Sequence, residues 1–395
     1  MDQPTSGDPE VLAPQPPDDA PQGEQLVLGN PQTEGRTEAF LDGRLQVVSA
    51  RGVRGAERAL IAAFDQKVSG KVLSVRSREG LAGLAAARLF PETEVHLFDL
   101  DSYARHRALQ SARQNGLESI ESHLSADLPQ GDYDWVCLPV AHSEDAMLSG
   151  ELLRQAFGAL RPRGKLLAAT DNRRDRWLHD RVRDVFGDVT IYRRDRKGTV
   201  YVARRPPGKT LRTRRFGRQF TGRVFDKIVE LESRPGVFSH GRVDDGAMSL
   251  ADVAELGPSS RVLEMGCGSG ALGTAAALAA PSGCSVLVDS NVRAVKAAQA
   301  NLVRNGAPPN SLVCLSHDFE CFANNTFDVV LANPPYFGDY RIIELFTREA
   351  RRLLTPSGVY YCVTKLEEKS REICEQHFTR CTTTARRDYT VFTCR

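Results

Sequence analysis

The sequence predicts an α/β protein built from two tandem doubly wound domains, each a seven-stranded, mostly parallel sheet that ends in an antiparallel hairpin. Three observations predict this fold class. The chain has 395 residues, which is too long for one ordinary domain. Short apolar runs alternate with amphipathic, helix-like segments in both halves. Landmarks of the first half return in the same order in the second half, which indicates a duplicated domain whose first copy is degenerate.

The duplication rests on five pairs of landmarks with nearly constant spacing. The first three pairs are 190 positions apart, and the last two are 194 positions apart. The pairs are Val72-Leu73 with Val262-Leu263, Asp99 with Asp289, Asn115-Gly116 with Asn305-Gly306, Asp134–Cys137 with Asp328–Leu331, and Leu160–Gly164 with Leu354–Gly358. Because so many ordered matches are hard to obtain by chance, we expect a repeated unit of about 160 residues.

The elements of the second half follow from its apolar pattern. Strands are predicted at residues 261–265, 284–288, 312–315, 327–332, 358–363, 376–382 and 388–394. A helix is predicted over Val292–Asn305, because Val295, Ala298 and Leu302 recur at helical spacing. Strands that alternate with helices in this way form parallel sheets with right-handed crossovers. The closing hairpins of the two halves are predicted over Thr190–Val202 and Phe378–Thr393.

Composition narrows the class of protein. Apolar residues make up 41% of the chain and charged residues 26%, as in soluble globular proteins. No apolar run approaches the ~20 residues that cross a bilayer, and the amino terminus lacks the order of a secretory signal. The nine cysteines are scattered, with no CxxC pair. We therefore expect a cytoplasmic protein with reduced cysteines, no membrane contact, and neither a disulfide framework nor a metal site.

Charge and proline content set the expected domain boundaries. Residues 1–38 carry eight acids, one base and seven prolines, so residues 1–42 are predicted to be a disordered acidic tail. The degenerate domain is expected over 43–205, a basic linker over 206–235 and the second domain over 236–395. Seven basic residues lie between Arg204 and Arg218, and such a cluster suits a polyanion. Its Arg212, Arg214 and Arg215 are candidate substrate contacts, although a solvated linker has the same composition.

A glycine-rich turn follows the first strand of the second half. Gly266, Gly268 and Gly270 leave backbone that a ligand can approach closely, as at the first turn of nucleotide-binding folds. Glycines at this spacing alone are weak evidence. Glu264 before the turn and Cys267 within it favour S-adenosyl-L-methionine as the cofactor, with Glu264 near its amino end. The alternative is a tight strand-to-helix turn without a ligand.

Two further carboxylates are predicted to lie along the same sheet edge. Asp289 ends the next strand, where it could accept both ribose hydroxyls of the cofactor or simply cap the following helix. Asp318 follows the third strand, and its position suits recognition of the adenine amino group, with Phe319 beside the ring. A solvated loop acid is the alternative for Asp318.

The motif Asn333-Pro334-Pro335-Tyr336-Phe337 carries the predicted chemistry. A strand runs into two prolines, which hold the backbone rigid at the ligand-binding edge of the sheet. The nitrogen of an amino group on a ring, or of a carboxamide, is a poor nucleophile because its lone pair is delocalised. The Asn333 side chain and the Pro334 carbonyl can accept its two hydrogens, so that the lone pair faces the methyl donor. Tyr336 offers a ring for stacking a base, and Phe337 is a further substrate contact. Asn333 also adjoins the predicted cofactor.

The first half lacks both motifs. It has Arg76 and Arg78 where the glycine turn would be, and Pro139-Val140-Ala141-His142 in place of the asparagine motif. Asp99 alone cannot hold a cofactor. The first domain is therefore predicted to serve folding, substrate binding or both.

A degenerate copy followed by a copy with these motifs resembles the bacterial ribosomal RNA guanine-N2 methyltransferases of the RsmC/RlmG type. The segment Arg234–Ser239, with Asp244-Asp245-Gly246 after it, is similar to the Pro-Gly-Val-Phe segment of that family. The resemblance implies Rossmann-like class I methyltransferase domains, a guanosine amino group of small- or large-subunit RNA as acceptor, and Phe238 as a substrate contact. It also implies cofactor roles for Gly266, Gly268, Asp289 and Asp318, and the acceptor role for Asn333. The expected partner is ribosomal RNA or a ribosomal subunit, and a monomer is favoured.

Two alternatives stay open at this point. The same motif would suit methylation of a glutamine side-chain amide in a protein or of adenine N6 in a nucleic acid. Enzymes of those kinds usually lack a degenerate twin domain. A non-catalytic RNA-binding assembly protein is the second alternative, and the intact glycines and Asn333 speak against it.

Overall fold

The computed structural model describes residues 36–49, 52–65, 68–335 and 340–395. They form two similar domains, and each begins with a two-stranded antiparallel hairpin that is followed by a seven-stranded mixed sheet with helices on both faces.

The first domain alternates strands and helices as the apolar pattern predicts. Its strands are β1 (Arg36–Phe40), β2 (Leu45–Ser49), β3 (Lys71–Val75), β4 (Glu94–Asp99), β5 (Glu121–Leu124), β6 (Tyr133–Pro139), β7 (Leu160–Thr170), β8 (Thr190–Asp195) and β9 (Gly198–Arg204). Its helices are α1 (Gly55–Ile61), α2 (Leu81–Leu89), α3 (Ser102–Gln114), α4 (Ala146–Ala159) and α5 (Trp177–Phe186), with a short 3-10 helix at Arg78–Gly80.

The second domain repeats this order. Its strands are β10 (Arg218–Val224), β11 (Lys227–Ser233), β12 (Arg261–Met265), β13 (Cys284–Asp289), β14 (Leu312–Leu315), β15 (Phe327–Ala332), β16 (Leu354–Thr364), β17 (Cys381–Arg386) and β18 (Tyr389–Cys394). Its helices are α6 (Asp245–Ala251), α7 (Ala271–Ala279), α8 (Val292–Arg304), α9 (Arg341–Leu353) and α10 (Glu367–His377).

The two large sheets have the same strand order, which confirms the predicted fold class. The orders are β5-β4-β3-β6-β7-β9-β8 and β14-β13-β12-β15-β16-β18-β17. In each sheet the first five strands run parallel and the last two close it as an antiparallel hairpin. The order reverses beside the strand that precedes the glycine turn, and open α/β sheets bind ligands at the carboxyl ends of strands at such a point.

The central strands are buried on both faces. Along β15, Val330 and Ala332 join one apolar cluster, whereas Val329 and Leu331 join the cluster on the opposite face. Successive side chains of a strand point to opposite faces, so a strand covered by helices on both sides must be apolar throughout. This explains why β12 and β15 read as short continuous apolar runs in the sequence.

The repeated Asn-Gly landmark has a structural cause. Asn115 Oδ1 accepts from the Gln46 N–H at 2.9 Å, and its Nδ2 donates to the Gln46 carbonyl at 2.7 Å. Asn305 makes the same pair of bonds with Glu230, at 2.8 and 2.7 Å. In both domains, therefore, the asparagine that ends the third helix bonds to the hairpin backbone as a neighbouring strand would. This pair of bonds links the first hairpin to the rest of the domain.

The domains meet through the first turns of equivalent helices. The Ser102 N–H, at the start of α3, donates to the Ser290 carbonyl at 2.8 Å. The Val292 N–H, at the start of α8, donates to the Leu100 carbonyl at 2.8 Å. Asp101 and Asn291 form the isolated antiparallel bridge between them. The exchange brings the carboxyl ends of β4 and β13 together at the junction of the domains.

Three sequence predictions are corrected by these elements. Residues 36–40, assigned to the disordered tail, form β1; residues 1–35 of that tail lie outside the described part. Residues 218–233, assigned to the linker, form the β10–β11 hairpin, because Val229 and Leu231 alternate with charged residues and bury one face. Finally, the strand predicted at 376–382 is displaced, since α10 continues to His377 and β17 begins at Cys381.

Gly270 is expected to be intolerant of a side chain. It has φ +75° before α7, and an added Cβ would lie 2.8 Å from the Ala298 Cβ. We expect Gly270→Ala to lower the free energy of unfolding by about 2–4 kcal/mol, because left-handed strain and overpacking add. Urea denaturation measures this loss. Gly306→Ala, at φ +61° with open space around its Cβ position, is the control and should lose only the strain component.

Candidate active site

The glycine turn lies at the carboxyl end of β12, as predicted. Gly266, Gly268 and Gly270 all have left-handed φ values, of 72°, 55° and 75°. The Gly266 N–H and the Cys267 N–H both donate to the Val288 carbonyl, at 2.8 and 2.9 Å. A Cβ at Gly268 would lie 3.8 Å from the Cβ and from the carbonyl oxygen of Phe238, so the bare backbone of the turn faces the segment that carries Phe238.

Asp289 stands beside the turn with its carboxylate held in place. Its Oδ2 accepts from the Gly268 N–H at 2.8 Å, and its Oδ1 accepts from the Asn291 N–H at 2.9 Å. The residue is half-buried, so the carboxylate still reaches the open edge of the sheet. Burial raises the pKa of Asp289 to about 6, against the opposing effect of the two backbone donors. Each oxygen keeps a lone pair for a further donor.

Glu264 and Cys267 lie beneath the turn. The Gly273 N–H donates to Glu264 Oε2 at 2.8 Å, and burial raises the pKa of this carboxyl to about 8. Glu264 thus ties β12 to α7 and stays a predicted neighbour of the cofactor's amino end. The Cys267 thiol packs with Leu287 and Leu302 in an apolar cluster, and burial raises its pKa. The turn directs the Cys267 thiol into the core, and the contact of Cys267 with the cofactor stays a prediction.

The Asp318 loop follows β14. Asp318 is exposed in part, and its Oδ1 accepts from the Ser316 hydroxyl at 3.0 Å. Phe319 is only 2% exposed and packs edge to face on Phe346, with ring centroids 5.6 Å apart. Phe346 in turn lies 3.4 Å from the Cβ position of Gly266. Phe319 therefore packs through Phe346 beneath the glycine turn, and its place beside the adenine ring stays a prediction.

Asn333 follows β15, and its amide is fixed by an acid that the sequence analysis did not select. Asn333 Nδ2 donates to Asp244 Oδ2 at 2.9 Å. The same oxygen accepts from the Gly246 N–H at 2.9 Å, which caps α6. A carboxylate only accepts, so the amide nitrogen must face Asp244 and the Asn333 Oδ1 must face away. That oxygen is buried, and no donor among the described residues contacts it.

Gly246 leaves room for this arrangement. A Cβ at Gly246 would lie 2.9 Å from the Asn333 Oδ1. A larger residue would therefore crowd the unpaired Asn333 Oδ1. Pro334 is buried beside it.

The predicted aromatic contacts divide into two groups. Phe238 is 49% exposed and stands over the glycine turn, where a substrate contact was expected. Tyr336 and Phe337 lie outside the described residues. The structure thus brings together the glycine turn, Asp289 and Phe238, with Asn333 on the next strand.

The basic candidates lie on the segment between the domains. Arg212, Arg214 and Arg215 are exposed. The Arg212 carbonyl accepts from the Arg154 guanidinium, and the Arg214 guanidinium lies 5.1 Å from the centroid of the Phe216 ring. The segment therefore runs along the first domain.

The first domain holds the Pro-Gly-Val-Phe segment in place, a role that the sequence analysis did not identify. The Gly236 N–H donates to Asp145 of the first domain at 3.2 Å, and its carbonyl accepts from Asn291 at 2.8 Å. Arg293 is 1% exposed and donates to Glu151 and to the Pro235 carbonyl, both at 2.7 Å. Helices of both domains thus hold Pro235 and Gly236, at the start of the segment that leads to Phe238.

The turn of the first domain that corresponds to the glycine turn carries a charged side chain that is held in an ion pair. Arg76 and Arg54 pair with Glu144, at 2.9 and 3.3 Å. The cavity beside Asp99 measures about 10 Å³, which is room for about one water molecule. This geometry supports the prediction that the first copy is degenerate.

Three potential metal ligands meet elsewhere in the first domain. Ligand atoms of His96, Glu121 and His123 lie within 4.8 Å of one another. His96 Nδ1 lies 2.8 Å from His123 Nε2, and His96 Nε2 lies 2.8 Å from carboxylates of Glu94 and Glu121. Both ring nitrogens are thus hydrogen-bonded within the network, and we assign no metal to it. Separately, none of the described helices has the length and apolarity needed to span a bilayer.

Comparison with known proteins agrees with the duplicated fold. The methyltransferase small domain family matches the chain twice, over residues 41–202 and 228–393. A ribosomal RNA large subunit methyltransferase G of Pseudomonas syringae is 28% identical over 291 residues, which are 71% of this chain and 76% of the relative. A ribosomal RNA small subunit methyltransferase C of Stutzerimonas stutzeri is 31% identical over 177 residues, 44% of this chain and 52% of the relative.

A solved structure shares the whole architecture. It is the 16S rRNA N2 methyltransferase RsmC of T. thermophilus, in complex with AdoMet and guanosine. The TM-score is 0.76 at 22% identity, with 92% of this chain and 98% of that chain covered. This likeness confirms the fold of tandem domains. The chain belongs to the methyltransferase small domain family, with two tandem copies of that domain as in methyltransferases of the RsmC/RlmG type.

Proposed function

We propose that this protein transfers a methyl group from S-adenosylmethionine to the exocyclic N2 amine of a guanosine in ribosomal RNA. The observation that carries the proposal is the Asn333 Oδ1, a buried acceptor without a donor in the described part of the chain. An unpaired buried acceptor costs roughly 1–3 kcal/mol, so its presence at a sheet edge indicates a ligand that satisfies it. The names of the relatives supply the class of acceptor.

The cofactor position fits the residues present. Asp289 would hold the ribose hydroxyls of S-adenosylmethionine with its two fixed carboxylate oxygens. Gly266 and Gly268 would pass beneath the cofactor, and Asp318 would accept from its adenine amino group. When bound, the cofactor supplies the methyl group as an activated sulfonium.

The chain's own residues orient the acceptor. Asp244 fixes the Asn333 amide, so the Asn333 Oδ1 accepts one hydrogen of the guanine amine. The Pro334 carbonyl is the second acceptor. With both hydrogens held, the nitrogen lone pair points at the methyl carbon, and positioning supplies most of the rate. Phe238, over the glycine turn, offers an apolar face to the base.

Cofactor affinity should depend on the ionisation of Asp289. Only the carboxylate accepts two hydroxyl hydrogen bonds, and its pKa is raised to about 6 in the free protein. We expect the affinity for S-adenosylmethionine to be full above about pH 7 and to fall about tenfold per pH unit below about pH 6. Calorimetric titrations across this range test the dependence. In Asp289→Asn the affinity should be low and independent of pH, and an unchanged pH dependence in this variant would exclude Asp289 as its origin.

The same raised pKa fixes the sign of a stability effect. The folded protein binds the Asp289 proton more tightly than the unfolded chain, whose pKa lies near 3.8. The contribution of Asp289 to stability is therefore present at low pH and is lost as the pH rises from about 4 to about 6. Cofactor binding is expected to offset this loss.

The acceptor is identified by following labelled methyl groups. The protein is incubated with labelled S-adenosylmethionine and, in parallel, naked ribosomal RNA, each ribosomal subunit, or a protein release factor. Digestion should release labelled N2-methylguanosine from one RNA sample. Label confined to glutamine or to N6-methyladenosine would replace the guanine assignment. No detectable heat with S-adenosylmethionine alone would favour a non-catalytic assembly protein.

We place this reaction in the cytoplasm. The scattered spacing of the nine cysteines, with no CxxC pair, supports a reducing compartment. Fractionation of cells and ribosomes with an antibody to the protein tests this, and recovery with membranes would argue against it.

A further inference from the structure

The duplicated fold leaves a second open cleft, at the position in the first domain that corresponds to the acceptor pocket of the second. Its volume is about 580 Å³, within the range of ligand-binding sites. The cleft lies at the carboxyl end of the first large sheet, where β6 and β7 end. It is lined by His142, Asp171, Asn172, Arg173, Arg174 and Arg194.

The loss of catalysis in this domain has not closed this cleft. At the turn that corresponds to the glycine turn, Arg76 pairs with Glu144, but the cleft where β6 and β7 end stays open. Pro139 stands where the second domain has Asn333, so the amine-binding amide is missing. His142 stands in the register of Tyr336 and is exposed, so an aromatic ring is kept at this position. The cleft therefore retains the means to hold a base and lacks the means to methylate it.

Its charge points to a phosphate-bearing ligand. Arg173 and Arg174 are exposed, and neither forms an ion pair within the described residues. Arg194 approaches from β8. The acid of the cleft, Asp171, is engaged, because its Oδ1 accepts from the His142 N–H at 2.7 Å and so fixes the ring-bearing loop. Three guanidiniums against one committed carboxylate give an excess of positive charge.

The surrounding loop has the features of a single-strand RNA surface. Trp177 begins α5, three residues after Arg174, and is 39% exposed. Such surfaces combine arginines for the backbone with aromatic rings on which bases stack. The loop itself is rigid, since the Arg174 N–H donates to Asn172 Oδ1 at 2.9 Å and the Thr199 hydroxyl donates to the Asn172 carbonyl at 3.1 Å.

We infer that the open cleft of the first domain binds a nucleotide of single-stranded RNA, with Arg173 and Arg174 on its phosphates and His142 against its base. This inference rests on the proposed function, in which RNA is the substrate. The carboxyl ends of β4 and β13 meet at the junction of the domains, and the cleft and Asn333 lie further along the carboxyl edges of the same two sheets. The degenerate domain then grips the RNA while the second domain modifies it.

Binding is measured without cofactor, so that its result does not depend on methyl transfer. A fluorescently labelled single-stranded RNA of the modified region is titrated with protein at several salt concentrations. In Arg173→Ala/Arg174→Ala we expect the Kd to rise at least tenfold. The slope of log K against log salt should become shallower by about 1.4, since each neutralised phosphate of a single strand contributes about 0.7.

A matched control removes the same charge from the same domain. Arg181→Ala/Arg183→Ala alters two arginines of α5, the half-buried Arg181 and the exposed Arg183, which pair with Asp184 and Asp180. This variant should bind RNA nearly as the wild type does. Equal losses of RNA affinity in both double variants would show that only the net charge of the domain matters, which would contradict the inference. An unchanged RNA affinity in Arg173→Ala/Arg174→Ala would overturn it as well.

Trp177 provides a second readout at the cleft. The other tryptophan, Trp135, is buried, so quenching by a bound base should report on Trp177. We expect RNA to quench the fluorescence of the wild type and not that of Trp177→Phe. Quenching by inorganic phosphate or guanosine monophosphate at equal concentration would indicate a free anion site, and binding of RNA-free ribosomal proteins in place of RNA would replace the RNA assignment. Loss of methylation with intact RNA quenching would count against the proposed function alone.

Discussion

Replacing Asn333 with alanine should lower kcat by about 10²–10³-fold and leave the affinity for S-adenosylmethionine nearly unchanged, because the amide positions the acceptor and not the donor. The side chain is held by Asp244 at 2.9 Å, and its oxygen is kept free of protein donors in the described part. Single-turnover rates measure the first effect and calorimetry measures the second. Equal losses in both quantities would assign Asn333 to the cofactor.

Asp244→Asn, compared with a control variant, tests whether the orientation of the Asn333 amide matters in addition to its presence. Asp244→Asn keeps the size of the partner but no longer dictates which end of the Asn333 amide faces it. We expect a loss in kcat of about tenfold, since a hydrogen bond to a charged group exceeds a neutral one by about 1.4 kcal/mol. Arg371→Ala, on the surface of α10, is the control and should leave kcat unchanged. If Asp244→Asn matched this control, Asp244 would only cap α6.

The separation along the chain between a site residue and its partners explains which site residues could be predicted from the sequence. Asn333 and the glycine turn could be found because each belongs to a short contiguous motif with a defined spacing. Asp244 lies 89 positions from Asn333, and alone it has the appearance of an ordinary helix cap. Arg293 appears as a solvated position of α8, yet its partner Glu151 is 142 positions away in another domain.

The sequence also did not allow us to predict the direction in which a side chain within a motif points. Cys267 and Phe319 were selected because they adjoin ligand-binding positions, and the structure turns both into the core. The duplication of the domain, in contrast, could be predicted from the sequence. Its landmarks are turn and strand-end residues, such as Asn115 and Asn305, whose bonds both copies of the fold require. The β10–β11 hairpin was missed because its strands are rich in charge, which hid their alternating buried face.

Arg293→Ala should cause a large loss of stability. Arg293 donates to the Ala126 carbonyl, to Glu151 and to the Pro235 carbonyl, at 2.8, 2.7 and 2.7 Å. Breaking a buried ion pair by removing one partner typically costs about 3–5 kcal/mol, because the other charge loses its compensation. Glu151 keeps Arg234 as a neighbour at 2.5 Å, so the lower part of that range is expected. Urea denaturation followed by circular dichroism measures the loss.

Two further measurements on the Arg293 variants distinguish a contact that holds the domains together from ordinary core packing. Because Arg293 joins α8 to α4 and to the segment before Phe238, its removal should also separate the unfolding transitions of the two domains and raise the KM for RNA. Arg293→Lys should resemble the alanine variant, since one ammonium cannot serve three acceptors that a planar guanidinium reaches together. A single unshifted transition with an unchanged KM would show that the domains are held by other contacts. In that case the first domain would influence the active site only through the RNA that it binds.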